Sequence, residues 1–198
     1  YRNNVFDVEF AIRDASWMKE YLTTTLGYKE GNIIYVEDAT LSALKTAMRK
    51  LENRSKKSSE IFVYYSGHGA PSISENKSYI VPVDCDPNYV ETCGYKLAEL
   101  YDVLNKVEAK STTVVIDACF SGSSFAGELI VEASPIYITV DRETLRTDNF
   151  AIFTSASNQQ VSSWYTEKKH SLFTYYFLKA LQGKADNNND NQITRGEI

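Results

Sequence analysis

Cysteine is scarce in this chain, with three in 198 residues: Cys85, Cys93 and Cys119. That is too few for the disulfide framework that replaces a large core in small exported domains. Cys85 and Cys93 stand eight apart in a turn-rich segment and are expected as reduced thiols, a bond between them being the alternative for an exported protein. At least one cysteine is expected free. Histidine is scarcer, with 2, and no Cys/His grouping has zinc spacing. No apolar run approaches the ~18 residues of a membrane span, and no signal-peptide pattern opens the sequence. Basic runs stop at pairs such as Lys56-Lys57, and the net charge is −5 with a pI near 5.2. Nucleic-acid and anionic-membrane partners are therefore not expected, while cationic protein or peptide substrates suit the acidity. Tyr1 reads as an internal start, so that a leader is not accounted for; the cytoplasm and a monomer are the favoured expectations.

What is present is ordinary for a globular protein: 43% hydrophobic and 24% charged residues, enough for one domain over 1–198. Phe10, Ala11, Ala15, Met18, Leu22 and Leu26 recur at helical period over 8–26, with Gly27 as the stop. "NIIYVED" (32–38) reads as a short strand, and 41–51 as a helix. "EIFVYYSG" (60–67) and "TTVVIDA" (112–118) are continuous apolar runs, as in strands covered on both faces. "SYIVPVD" (78–84), with Pro82, reads as an edge element or connection. Helical spacing returns over 97–107, a strand over 149–157 and a helix over 171–181. Strand and helix alternate, which predicts an α/β fold: an open, mostly parallel sheet with helices on both faces.

Two short stretches carry the chemistry. "YYSGHG" places His68 between glycines just after one buried strand, and "DACFSG" places Cys119 just after another. In parallel α/β sheets, reactive groups gather at the carboxyl ends of strands. A thiol is a good nucleophile only as thiolate, and an imidazole within reach can take its proton and later return one to a leaving amine. Gly69 N–H and Cys119 N–H would supply an oxyanion hole, and Gly122 would free the loop beyond the nucleophile. Asp117, two residues before Cys119, points to the same side of an extended strand end. No phosphate-binding loop of the GxxxxGKS kind is present, which weakens a nucleotide- or small-molecule-hydrolase reading.

These motifs resemble those of the caspase-like cysteine peptidases, most closely the metacaspase, paracaspase and bacterial branch. "AIRDASWMKEYL", "SYIVPVD", "AIFTSASNQQVSSW" and "SLFTYYFLKAL" resemble the family's successive blocks in order. The resemblance implies a cysteine endopeptidase with Cys119 as nucleophile and His68 as general acid and base, needing no cofactor for its chemistry. Asp117 stands where caspases carry Gln, which matches the branch that cleaves after Arg or Lys. Asp14, in "RDAS", matches an acidic position near the start of the family's first helix, so that Asp14 and Asp117 would form a cationic-side-chain pocket. Ser155 and Trp164, with Gln160, Ser162 and Ser163, fall where the family builds a wall of the substrate groove; Trp164 is read either as a platform or as core. His170, beside "EKK", has no partner in view and is read as a surface residue. The family's first strand has no counterpart in 1–7, which suggests a fragment.

Two further segments stand out. In "DNNNDNQITRGE", Asp186, Asn188, Asp190, Gln192, Thr194 and Glu197 fall at positions 1, 3, 5, 7, 9 and 12 of a calcium loop, with Asn191 where Gly is usual. It is read either as a Ca2+ site or as a metal-free capping turn. The polar stretch 121–148 reads as a long exposed loop, either self-cleaved after Arg146 or Arg142 or packed as a lid. The alternative function is a catalytically silent caspase-like interaction module whose calcium-type loop is the working part.

Overall fold

The computed structural model describes residues 5–72, 74–120, 123–124, 127–128, 149–155, 163–194 and 196–198. The helix α1 (Ala11–Thr24) is followed by a left-handed Gly27 (φ 73°), as its role of stop requires. The helix α2 (Leu41–Arg54) starts on Thr40, whose hydroxyl accepts the Ala43 N–H. Next come β1 (Glu60–Ser66), β2 (Gly69–Ser72) and β3 (Lys77–Ile80), a single helical turn α3 (Val90–Cys93), β4 (Tyr95–Lys96), α4 (Leu97–Val107) and β5 (Ser111–Asp117). The chain continues through β6 (Ser123–Ser124), β7 (Gly127–Glu128), β8 (Phe150–Thr154), β9 (Trp164–Tyr165), β10 (His170–Ser171) and α5 (Leu172–Lys179).

The centre is a three-stranded parallel sheet in the order β1-β5-β8. Its apolar runs are continuous because both faces are covered. Ile61, Val114 and Ile116 face a core shared with α4 residues Leu97, Leu100 and Leu104, against which α2 residues Leu44 and Met48 pack. On the other face Val115 meets Met18 and Leu22 of α1 and Phe177 and Leu178 of α5, with Phe62, Tyr64 and Phe153 around them. Alternate residues of one strand thus feed opposite cores. The expected α/β layering is present.

Several local expectations are corrected. The segment 32–38 is not a strand: a 3-10 turn, Glu30–Asn32, leads into backbone that joins no ladder. Ile34 and Val36 face a 490 Å3 cavity shared with Phe62 and Tyr64 of β1, and an apolar run makes a strand only where a partner pairs with its N–H and C=O groups. The 78–84 run is central, not an edge: β3 lies between β2 and β4 in a separate antiparallel sheet, and Pro82 falls beyond its end. The edges there are β2 and β4, and β2 carries Pro71. Cys85 and Cys93 are disulfide-bonded rather than reduced, because the turn Pro87–Tyr89 and the single turn α3 fold the chain back to a Cα–Cα distance of 5.1 Å. Cys119 is buried and forms no disulfide.

Leu104 is 1% exposed in the α4 core. Leu104→Ala should lower unfolding free energy by about 2–5 kcal/mol in a urea titration; a loss below ~1 kcal/mol would mean that α4 does not seal that face of the sheet.

Candidate active site

The register of the central sheet sets up the site. Ser66 of β1 lies opposite Asp117 of β5, so His68 and Cys119 each follow the same rung by two residues. Gly67 N–H donates to Asp117 C=O at 3.2 Å, carrying the pairing past the strand end. A Cβ on Gly69 would sit 2.6 Å from the Phe120 ring and 2.8 Å from the Cys119 carbonyl oxygen. The absence of a side chain is what lets the two strand ends close on each other. His68 (4% exposed) and Cys119 (7% exposed) are buried together at this edge.

The imidazole is oriented by an unexpected group. His68 Nε2 donates to the Phe6 carbonyl at 2.6 Å. A carbonyl only accepts, so Nε2 carries the proton and Nδ1 is the basic nitrogen. Burial holds this imidazole below the ordinary histidine range, so it is neutral at pH 7. Phe6 could not have been found from the sequence, since a backbone carbonyl leaves no residue signature. Tyr65 Oη donates to His68 C=O at 2.8 Å, and Val81 N–H donates to the same oxygen at 2.9 Å. Gly69 and Ile80 therefore face each other as a non-hydrogen-bonded pair, which leaves the Gly69 N–H out of the ladder with Ile80.

Behind the strand ends, Asp14 of α1 and Asp117 are both buried. One residue ties them together: Ser171 N–H donates to Asp14 Oδ2 at 2.9 Å, and Ser171 Oγ donates to Asp117 Oδ2. Thr174 Oγ1 donates to the same Asp117 oxygen at 2.7 Å and is itself hydrogen-bonded to Tyr64 Oη. Burial pushes the Asp14 carboxyl above its usual range, the Asp117 charge adding to this, while the Ser171 N–H and His170 pull it back. Ser171 thus joins Asp14 and Asp117, a link that the sequence reading missed. The available signal was Ser171 as an N-cap: its hydroxyl also accepts the Thr174 N–H at 3.0 Å and starts α5.

His170 corrects a second expectation. It is 7% exposed, and its Nδ1 hydrogen-bonds Asp14 Oδ1. The turn after β9 brings Lys169 to φ 57° and directs the next residue inward, which the polar "EKK" neighbours hid.

A family model described as the caspase domain matches residues 4–195. This chain belongs to the caspase-domain family of cysteine peptidases. It is similar to Metacaspase-1 of Eremothecium gossypii, 29% identical over 142 residues covering 63% of this chain and 30% of that protein. Metacaspase-9 of Arabidopsis thaliana is 29% identical over 138 residues, covering 62% and 41% respectively. The vacuolar-processing enzyme of Glycine max is 32% identical over 131 residues, covering 63% and 20%. The chain thus spans less than half the length of each of these relatives.

Ser155 follows β8, and its N–H donates to Ile116 C=O at 3.0 Å, beside the strand end that carries Cys119. Trp164 is half-buried, pairs opposite Ser171 in the β9–β10 ladder, and meets Phe10 edge-on at 6.3 Å. Gly122, Gln160, Ser162, Arg142 and Arg146 lie outside the described residues. The 186–197 loop is remote from these groups in sequence and is shaped by its own side chains. Asp186 accepts the Asp190 and Asn191 N–H groups at 3.1 and 2.9 Å, Asn188 accepts the Asp190 N–H at 2.9 Å, and Asp190 accepts the Gln192 N–H at 2.8 Å. Thr194 N–H donates to Glu197 at 2.8 Å. Asn191 takes the left-handed conformation expected of it (φ 61°). Among the described residues, no three His, Cys, Asp or Glu side chains converge to hold a metal.

The contact at Gly69 gives a direct test. Gly69→Ala should cost about 1–3 kcal/mol of stability through overpacking and slow alkylation of Cys119 by iodoacetamide, because the backbone at Cys119 must shift. Unchanged stability and reactivity would contradict the close approach.

Proposed function

We propose that this chain is the catalytic unit of a cysteine endopeptidase that cleaves after Arg or Lys, with Cys119 and His68 as its catalytic residues. The observation carrying this reading is the shared rung Ser66–Asp117, from which His68 and Cys119 each follow by two residues. Family membership supports the same class of reaction.

In the proposed reaction, His68 Nδ1 takes the Cys119 proton as the sulfur attacks the scissile carbonyl carbon. The carbonyl oxygen becomes an oxyanion and accepts from the Gly69 and Cys119 N–H groups. Collapse breaks the C–N bond, and His68, now protonated, gives its proton to the departing amine. The acyl group is left as a thioester on Cys119. Water then attacks that carbon, giving a proton to His68, and the second tetrahedral intermediate expels the thiolate and a carboxylic acid. Arg or Lys selectivity rests on Asp14 and Asp117: a carboxylate has about four acceptor sites, so each can take a substrate N–H besides its internal bonds. Trp164 and Ser155 would flank the groove.

Cys119→Ala should abolish cleavage of Arg- and Lys-ended peptides while the urea midpoint stays near wild type. Turnover above a few per cent would remove Cys119 from the nucleophile role.

The acid limb of kcat/KM has a defined sign. Protonating the buried His68 removes the base, and its pKa is lowered, so that this loss sets in below the ordinary histidine value of ~6.5. A fall beginning above that value, followed in steady-state kinetics, would contradict a neutral His68.

Asp14 separates function from stability. Its raised pKa means that the folded state holds this proton more tightly than the unfolded chain does, so its contribution to stability falls as pH rises from ~4 through the folded value. Asp14→Asn removes that cost, and the amide oxygen can still accept the Ser171 N–H. The variant should be at least as stable as wild type at pH 7 by urea titration, yet lose about 1.5–3 kcal/mol of kcat/KM toward Arg peptides. Unaltered Arg cleavage would exclude Asp14 from the pocket.

A further inference from the structure

The structure assigns His170 the part of a positioning residue for substrate selectivity: it orients the Asp14 carboxylate that receives the basic side chain. The inference rests on the reading of Asp14 as part of that pocket.

Three observations converge on this residue. The β9–β10 hairpin delivers it inward, with Tyr165 opposite it in the ladder and left-handed Lys169 just before it. Its ring is bracketed by aromatic rings, Trp17 edge-on at 5.7 Å and Tyr175 at 6.1 Å, so it is held from two directions. Its Nδ1 bonds one oxygen of Asp14 while the adjacent Ser171 N–H bonds the other at 2.9 Å.

An ionised carboxylate has no proton to give, so Nδ1 is the donor in this pair. Two donors from successive residues then fix both carboxylate oxygens, one each, and with them the plane of the group. Plane matters for this ligand. A guanidinium presents a rigid fork, and its two parallel bonds form only when the carboxylate is suitably turned. With one donor removed, Asp14 can rotate about its remaining tether, and the fork meets a disordered partner. A lysine ammonium is a point donor on a flexible stem and tolerates such rotation better. His170 should therefore matter more for Arg than for Lys.

The test compares His170→Ala, His170→Asn and His170→Gln. An Asn amide nitrogen falls near the place of Nδ1, whereas that of Gln falls nearer Nε2. Peptides ending in Arg and in Lys provide KM and kcat, and alkylation of Cys119 by iodoacetamide, a neutral reagent that does not need the pocket, reports the nucleophile. Ala should raise KM for Arg peptides about tenfold, the scale of one hydrogen bond to a charged group, with a smaller rise for Lys and with kcat and alkylation nearly unchanged. Asn should restore the Arg KM and Gln should not. If Ala is too unstable to assay, the contrast between Asn and Gln decides alone. An unchanged Arg KM in His170→Ala, equal rescue by Asn and Gln, or equal losses for Arg and Lys would each overturn the positioning role while leaving the peptidase reading intact. A wild type whose Cys119 alkylates rapidly but which cleaves neither Arg nor Lys peptides would overturn the pocket reading, and this inference with it.

Discussion

The parallel pairing of β1 with β5 is the constraint from which the site follows. A thiol and an imidazole 51 positions apart in the chain can cooperate only if two strands end at the same level, and the Ser66–Asp117 rung provides that. The pairing holds because the strands are sealed on both faces: Val114, Val115 and Ile116 have no exposed surface. Burying such side chains contributes about 1.5–3 kcal/mol each, and slippage by one residue would turn each to the opposite core. The cost of misregister in the core is thus what aligns the chemistry at the edge.

Much of this was legible beforehand, for a physical reason. Continuous apolar runs, helical periodicity and glycine punctuation are local signals, and they located β1, β5, β8, α2, α4 and α5 and put His68 and Cys119 at strand ends. The pairing of Asp14 with Asp117 came from resemblance to a family, not from spacing, since α1 and β5 meet only through tertiary packing. What escaped was of another kind. The Phe6 carbonyl has no side-chain signature, and His170 sat among charged neighbours that suggested solvent. The stretch 32–38 read as a short strand, but an apolar run does not supply a partner strand. The Cys85–Cys93 bond depended on a chain reversal through Pro87 that spacing alone could not establish.

The carboxylates proposed for the pocket illustrate a conflict between folding and binding. Asp14 has no exposed surface, and burial penalises its charged form. Left without partners it would be expelled or protonated. The α5 N-cap residue lessens the conflict, because Ser171 contributes its backbone N–H to one carboxylate and its hydroxyl to the other while also starting a helix. Tyr64, hydrogen-bonded to Thr174, has its phenol pushed well up by the same burial and by both negative charges. It therefore remains a neutral wall beside the acids and adds no further charge.

The bond between Cys85 and Cys93 has a practical consequence for anyone handling the protein. Cys119 must stay reduced for the proposed reaction, whereas the other two sulfurs are joined. A thiol additive strong enough to protect the first will, given time, open the second. The loop closed is short, so its opening releases only about 2–3 kcal/mol of chain constraint, yet it lies directly before β4 and the start of α4. Additive concentration and incubation time therefore become variables of stability as well as of activity, and a preparation aged in reductant is a different molecule from one freshly treated.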